Sequence, residues 1–143
     1  MKTRRLNRQK RNTFIGMMIS ILFLSLGSCA VVNSNFLDSA VVPAAEGKVK
    51  VTRDKNLNYN IEVSVTDLAE VEELQTSKHN YVVWMLTDEG RTENLGQLSS
   101  SPNGKASMET SSSYKPGKVF ITAEDNTEAL VPGEQVVLTT ASF

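Results

Sequence analysis

Two stretches constrain the fold of this chain more than anything in its composition. Lys48 to Arg53 reads Lys-Val-Lys-Val-Thr-Arg, and Asn58 to Thr66 sets Tyr59, Ile61, Val63 and Val65 against Asn60, Glu62, Ser64 and Thr66. A two-residue period turns every second side chain to the same face. Such segments are half-buried antiparallel strands, apolar side inward and polar side to water. The polar run Asp54-Lys55-Asn56-Leu57-Asn58 between them is short enough to make the pair a hairpin.

The segment Tyr81 to Leu86 differs, because Tyr81, Val83 and Met85 project to one side and Val82, Trp84 and Leu86 to the other. Both faces are apolar, so this strand belongs in the interior, covered on each side. Aromatic residues in such a strand are expected in the core rather than on a carbohydrate- or peptide-binding platform. Thr87 to Arg91 supplies a turn with Gly90 where a positive φ is wanted, and Asn94 to Ser100 returns as a strand carrying Leu95 and Leu98. Gly96 inside it predicts a bulge or a close backbone approach. Asn103-Gly104 predicts a hairpin closed by a mirror-image turn, followed by alternation at Ala106, Met108 and Thr110 and a loop over 111–117. Lys118 to Ala123 and Gln135 to Thr140 are the last strands, joined by an acidic connection from Glu124 to Glu134. Asp67 to Lys78 is either a helical turn or two capped by Asp67, with Leu68, Val71 and Leu74 at three-residue steps, or an extended loop. About seven short strands with turns at this spacing predict an all-β, antiparallel β-sandwich of the immunoglobulin-like kind.

Ahead of this domain stands a leader. Residues 1 to 12 carry Lys2, Arg4, Arg5, Arg8, Lys10 and Arg11 and no acid, and the apolar run TFIGMMISILFLSLGS follows without a charge. That is the order of a secretory signal. The run ends in Leu26-Gly27-Ser28-Cys29, which resembles the lipobox of bacterial lipoproteins. The resemblance implies lipidation of the Cys29 thiol, with diacylglycerol there and a fatty acid such as palmitate on the new amine, after cleavage behind residue 28. Cys29 is the chain's one cysteine, so no intramolecular disulfide competes for it. The alternative is an uncleaved signal anchor, since apolar character continues through Ala30, Val31 and Val32 toward the ~20 residues of a spanning helix. Under either reading the basic end stays in the cytoplasm and the rest lies outside it. Leu6-Asn7-Arg8 after Arg4-Arg5 does not fit a twin-arginine signal. Ala30, Val31 and Val32 after the cysteine, with no aspartate, favour the periplasmic face of the outer membrane over the inner membrane.

The expected division is thus 1–28 signal peptide, 29–46 lipidated tether and 47–143 sandwich. The tether reading rests on Pro43, small residues and the lack of a sustained period, although Val31, Val32, Phe36 and Leu37 could lie on the domain or the lipid. Of fifteen basic residues six are in the leader, which leaves nine against sixteen acids and a charge near −7 beyond it. No basic stripe remains for nucleic acid.

The order Tyr81-Val82-Val83-Trp84, an Asp-Glu-Gly turn, Asn94-Leu95-Gly96-Gln97-Leu98, a hairpin at Gly104, Val119 to Glu124 and a closing Val136-Val137-Leu138 resembles the C-terminal extracytoplasmic domain of anti-sigma-K factors. The likeness runs over roughly residues 47–138 and implies the sandwich and a sensor-like or interaction role in the envelope. In that family a cytoplasmic domain grips the sigma factor, whereas a signal peptide stands in its place here. Sigma-factor inhibition therefore does not carry over.

No enzyme is expected. His79 is the chain's single histidine, and without a second histidine or a spare cysteine tetrahedral metal ligation lacks donors. Ser111-Ser112-Ser113 has no base beside it in sequence, and no nucleophile elbow or phosphate-cradling loop occurs. The acids gather at Glu70, Glu72 and Glu73, at Asp88 and Glu89, and at Glu124, Asp125 and Glu128. None has an EF-hand pattern. The sequence thus points to a non-enzymatic lipoprotein, held to the membrane through Cys29 and binding an envelope protein. The alternative is a ligand- or calcium-binding module using the acidic loops at one end.

Overall fold

A computed structural model describes residues 30–74 and 78–143. Nine strands run through them: β1 (Val31–Asn35), β2 (Glu46–Arg53), β3 (Tyr59–Thr66), β4 (Asn80–Thr87), β5 (Thr92–Gln97), β6 (Ser99–Ser100), β7 (Ala106–Ser112), β8 (Pro116–Glu124) and β9 (Val136–Thr139). They form two antiparallel sheets, ordered β1-β2-β3-β7-β6 and β5-β4-β8-β9, packed as a sandwich. The alternation read from sequence holds. Val49, Val51, Ile61, Val63 and Val65 point into the core against Tyr81, Val83, Met85, Val119, Ile121 and Ala123. On the wet side of the first sheet, Lys50 and Glu62 are register partners joined at 2.9 Å.

The stretch expected to be a tether is part of the fold. β1 pairs along β2 from Val31↔Thr52 to Asn35↔Lys48, Phe36 bridges to Thr140, and Leu37 N donates to Thr139 O. The segment therefore passes from the edge of one sheet to the edge of the other. Val42 beyond it is buried. The cause is the bare edge of β2, whose backbone groups need partners, together with Val32 and Phe36, which pack against the core. Phe36 lies so close to Gly47 that a Cβ there would meet Phe36 Cδ2 at 2.9 Å and Ser64 O at 2.7 Å. Among the described residues the sandwich thus includes β1 from Val31, ahead of residue 47.

The count of nine rather than about seven has a second source. The predicted strand from Asn94 to Ser100 is two strands in different sheets, with the chain crossing at buried Leu98, whose N–H donates to Tyr81 O. The bulge expected at Gly96 is present: Val83 pairs with Gly96 and Trp84 with Asn94, leaving Leu95 as the extra residue.

Three hairpin turns share one pattern, with bonds Leu57 N to Asp54 O, Gly90 N to Thr87 O and Gly104 N to Ser101 O. In each the fourth residue alone has positive φ: Leu57 at 67°, Gly90 at 84° and Gly104 at 72°. Asn103 does not, so its turn is not the mirror-image type expected but an ordinary turn completed by a left-handed residue. At 67–74 the helical option contracts to one 3-10 turn, Val71–Glu73, preceded by Glu70 and without a side-chain cap; Asp67 has φ 52° instead of capping it. Leu68, Val71 and Leu74 are nonetheless buried, closing one end of the core.

Candidate functional site

The strand register gives the sandwich two distinct ends. At the end where the chain enters, Val31 is opposite Thr52, Arg53 opposite Tyr59, and Tyr59 opposite Ser112. In the second sheet Thr87 is opposite Pro116 at the same end. The three connections here, 54–58, 88–91 and 113–115, are short: the first two join hydrogen-bonded neighbours, and the third passes from one sheet to the other. They enclose a shallow groove lined by Arg53, Leu57, Tyr59, Asp88, Tyr114 and Lys115, among others. The Arg53 and Arg91 guanidinium carbons lie 5.5 and 4.6 Å from the ring centres of Tyr59 and Tyr114. Lys115 Nζ donates to Asp88 Oδ2 at 3.0 Å. That hydrogen bond, ahead of the carboxylate's charge, raises the Lys115 ammonium above its usual value. Asp54 Oδ1 accepts from the N–H groups of Asn56 and Asn58, which ties the first turn.

The second candidate is the outer face of the second sheet. Trp84 is wholly buried there, stacked on its register partner Phe120 at 6.5 Å. Its indole N–H donates to the Thr122 hydroxyl at 2.8 Å, and that hydroxyl donates to Glu124 Oε1 at 2.5 Å. Glu124 Oε1 also accepts from Gly133 N at 2.6 Å. Asn94 Nδ2 donates to the carbonyls of Thr127 and Ala129, both at 2.9 Å, and Asn94 Oδ1 accepts from Gly96 N at 2.8 Å. The connection 125–135 is thereby folded back over the sheet and sealed to it. Trp84, Thr122, Glu124 and Gly133 thus form one hydrogen-bond chain, and Asn94 forms a second set of ties with Thr127, Ala129 and Gly96.

The other sequence candidates are dispersed. Asp88 and Glu89 sit at the chain-entry end, whereas Glu70, Glu72, Glu73, Glu124 and Asp125 are at the opposite end. Among the described residues no three His, Cys, Asp or Glu side chains gather closely enough to hold a metal ion. Asp125 Oδ2 accepts from Lys78 Nζ at 2.6 Å, and this hydrogen bond raises the Lys78 ammonium against a smaller opposing effect of burial. His79 is exposed and contributes its backbone N–H to Glu124 O. Tyr81, buried, donates its hydroxyl to Ala69 O at 2.9 Å; burial, then the charges of Glu70, Glu72 and Glu73, push its pKa up to about 12.

Sequence reasoning missed Asn94, and the signal was present: a glycine bulge re-aims the residue beside it, here a side chain with two donors. Leu26, Gly27, Ser28 and Cys29 lie outside the described residues. Among the described residues no helix is long and apolar enough to cross a membrane. Comparison with protein-family models, with curated proteins and with solved structures found no match.

Proposed function

We propose that the chain is an extracytoplasmic lipoprotein, anchored through Cys29, whose β-sandwich serves as a non-enzymatic interaction module of the cell envelope. The observation that carries this reading is a coincidence of boundaries. The lipobox would be cut before Cys29, and the first described strand of the sandwich runs from Val31, two residues on. A cut there removes the basic and apolar leader and leaves every described strand of the sandwich in place. The buried chain from Trp84 to Gly133 is accounted for by fastening a loop, which supports a structural rather than a catalytic role for Thr122 and Glu124.

Interaction is supported by Leu130 and Val131, 94% and 74% exposed on the connection that Asn94 and Glu124 hold in place. A pair of large apolar side chains fixed in water is a feature of contact surfaces. The resemblance to the extracytoplasmic domain of anti-sigma-K factors supports a sensor-like or interaction role, and Ala30, Val31 and Val32 after Cys29 support the periplasmic face of the outer membrane. The test is metabolic labelling with radioactive palmitate. Label in the wild-type chain that vanishes in Cys29→Ala, with release of the protein from membranes, is the expected result. Label that persists in Cys29→Ala, or none in the wild type, overturns the anchor.

A further inference from the structure

Resting on the lipid-anchor reading, we propose that the sandwich stands directly on the bilayer, with the 54–58, 88–91 and 113–115 turns at the headgroups and Leu57 as their apolar contact. An eighteen-residue tether would let the domain face any direction, but the described chain leaves no such tether. Cys29 precedes Val31 by two residues, which span at most about 7 Å. A headgroup layer is roughly 5–8 Å deep on each side of the hydrocarbon. The lipid on Cys29 therefore holds the entry end of β1 within about one headgroup depth of the hydrocarbon. The register fixes which turns share that end.

The charge distribution suits the same orientation. Of the nine basic residues beyond the leader, Arg53, Lys55, Arg91, Lys115 and Lys118 are at this end, among the acids Asp54, Asp88 and Glu89. The acid runs 67–73 and 124–134 are at or toward the other end. The part beyond the leader, nine basic residues against sixteen acids and so near −7, thus turns its least acidic end to lipid phosphates and its acidic end to the aqueous space. Tyr114 is 37% exposed at the entry end, and tyrosine is favoured at membrane interfaces.

Leu57 supplies the independent observation. It is 61% exposed and left-handed at φ 67°, in the position that glycine fills in the two equivalent turns, Gly90 and Gly104. Leucine there is unfavourable twice over, for its backbone and for its contact with water. Insertion among acyl chains offsets the second cost and gives the residue a purpose that glycine could not serve.

The test uses the full lipidated chain reconstituted in phosphatidylethanolamine vesicles with a minority of phosphatidylglycerol. An environment-sensitive dye is placed at Leu57→Cys or, as a control, at Leu130→Cys. In the unsubstituted chain a thiol that takes the dye shows that Cys29 is free, so failure of the anchor is seen separately. With Cys29 blocked, a blue shift and quenching by lipid-borne quenchers at 57 but not at 130 support the orientation. Equal quenching at both sites, or none at 57, overturns it. So does a dye at 57 that is shielded in native envelope membranes yet free in the vesicles, since that result assigns the end to a protein partner. Leu57→Gly, read by a dye at Ser113→Cys, removes strain and contact together. The urea midpoint should rise while the seated-to-lifted ratio falls about tenfold; a risen midpoint with unchanged quenching overturns the role of Leu57.

Discussion

One face of β4 is covered by a sheet and the other by a loop, and the side chains on the two faces differ accordingly. Against the opposite sheet stand Tyr81, Val83 and Met85, with Val119, Ile121 and Ala123 from β8 beside them. Under the loop stand Val82 and Trp84, with Phe120, Thr122 and Glu124. A covering strand arrives with its backbone groups already paired in its own ladder, so apolar contact is enough. A covering loop brings unpaired N–H and C=O groups out of water, and each needs a partner. The face below provides them: Asn94 donates to two loop carbonyls and Glu124 accepts a loop N–H. One atom escapes the rule. Gln135 Oε1 is buried without a partner among the described residues.

The largest test of this contrast is Trp84→Ala. If the loop-covered face is as much core as the sheet-covered one, the loss should be about 3 to 5 kcal/mol, as for a buried aromatic, measured by urea unfolding. A loss under about 1 kcal/mol would mean that the loop lifts readily and the face is wet.

Next come the ties themselves. Glu124→Ala leaves the Thr122 hydroxyl and the Gly133 N–H without their acceptor, and Asn94→Ala leaves two carbonyls without their donor. Each should cost about 1 to 3 kcal/mol. Because both fasten one loop, the double variant should lose less than the two losses added. Strict additivity would show two independent contacts rather than one sealed cover. Hydrogen exchange sharpens the point: the Gly133 amide should lose protection in Asn94→Ala although Asn94 does not touch it.

The two faces were not equally legible in the sequence. The sheet-covered face was, because a two-residue period is written directly in Val49, Val51, Ile61, Val63 and Val65, and Tyr81 to Leu86 announced that a second cover existed. The nature of that cover was not legible. Glu124 and Asp125 read as two acids of one solvated loop, yet the strand's alternation continues one residue further and buries Glu124 while Asp125 stays exposed. β1 was hidden for a related reason: of the half-buried positions Val32 and Ser34 in it and Phe36 just after it, the middle one is polar, so no period shows. Its role is set by the bare edge of β2, a long-range demand that local pattern does not carry.

The smallest effect tests whether the rule reaches the sheet-covered face where that sheet runs out. Beyond its edge, residues 67–74 take over the covering of Tyr81, and once more the face supplies a polar tie, the hydroxyl donating to Ala69 O. Tyr81→Phe should cost about 1 kcal/mol at neutral pH. Alkali adds a signature that a mere packing defect lacks. The folded tyrosine keeps its proton up to about 12 whereas the unfolded one loses it near 10.0. The protonated form is the one the fold favours, so Tyr81's contribution is whole below pH 10 and is lost as pH rises toward 12. That loss is of order 2 to 3 kcal/mol. Urea curves of wild type and Tyr81→Phe should therefore converge and then cross within that window, the phenylalanine form becoming the more stable. A difference that stays constant from pH 9 to pH 12 would mean that the hydroxyl is in water, and that a loop closing this end needs no tie from the face beneath it.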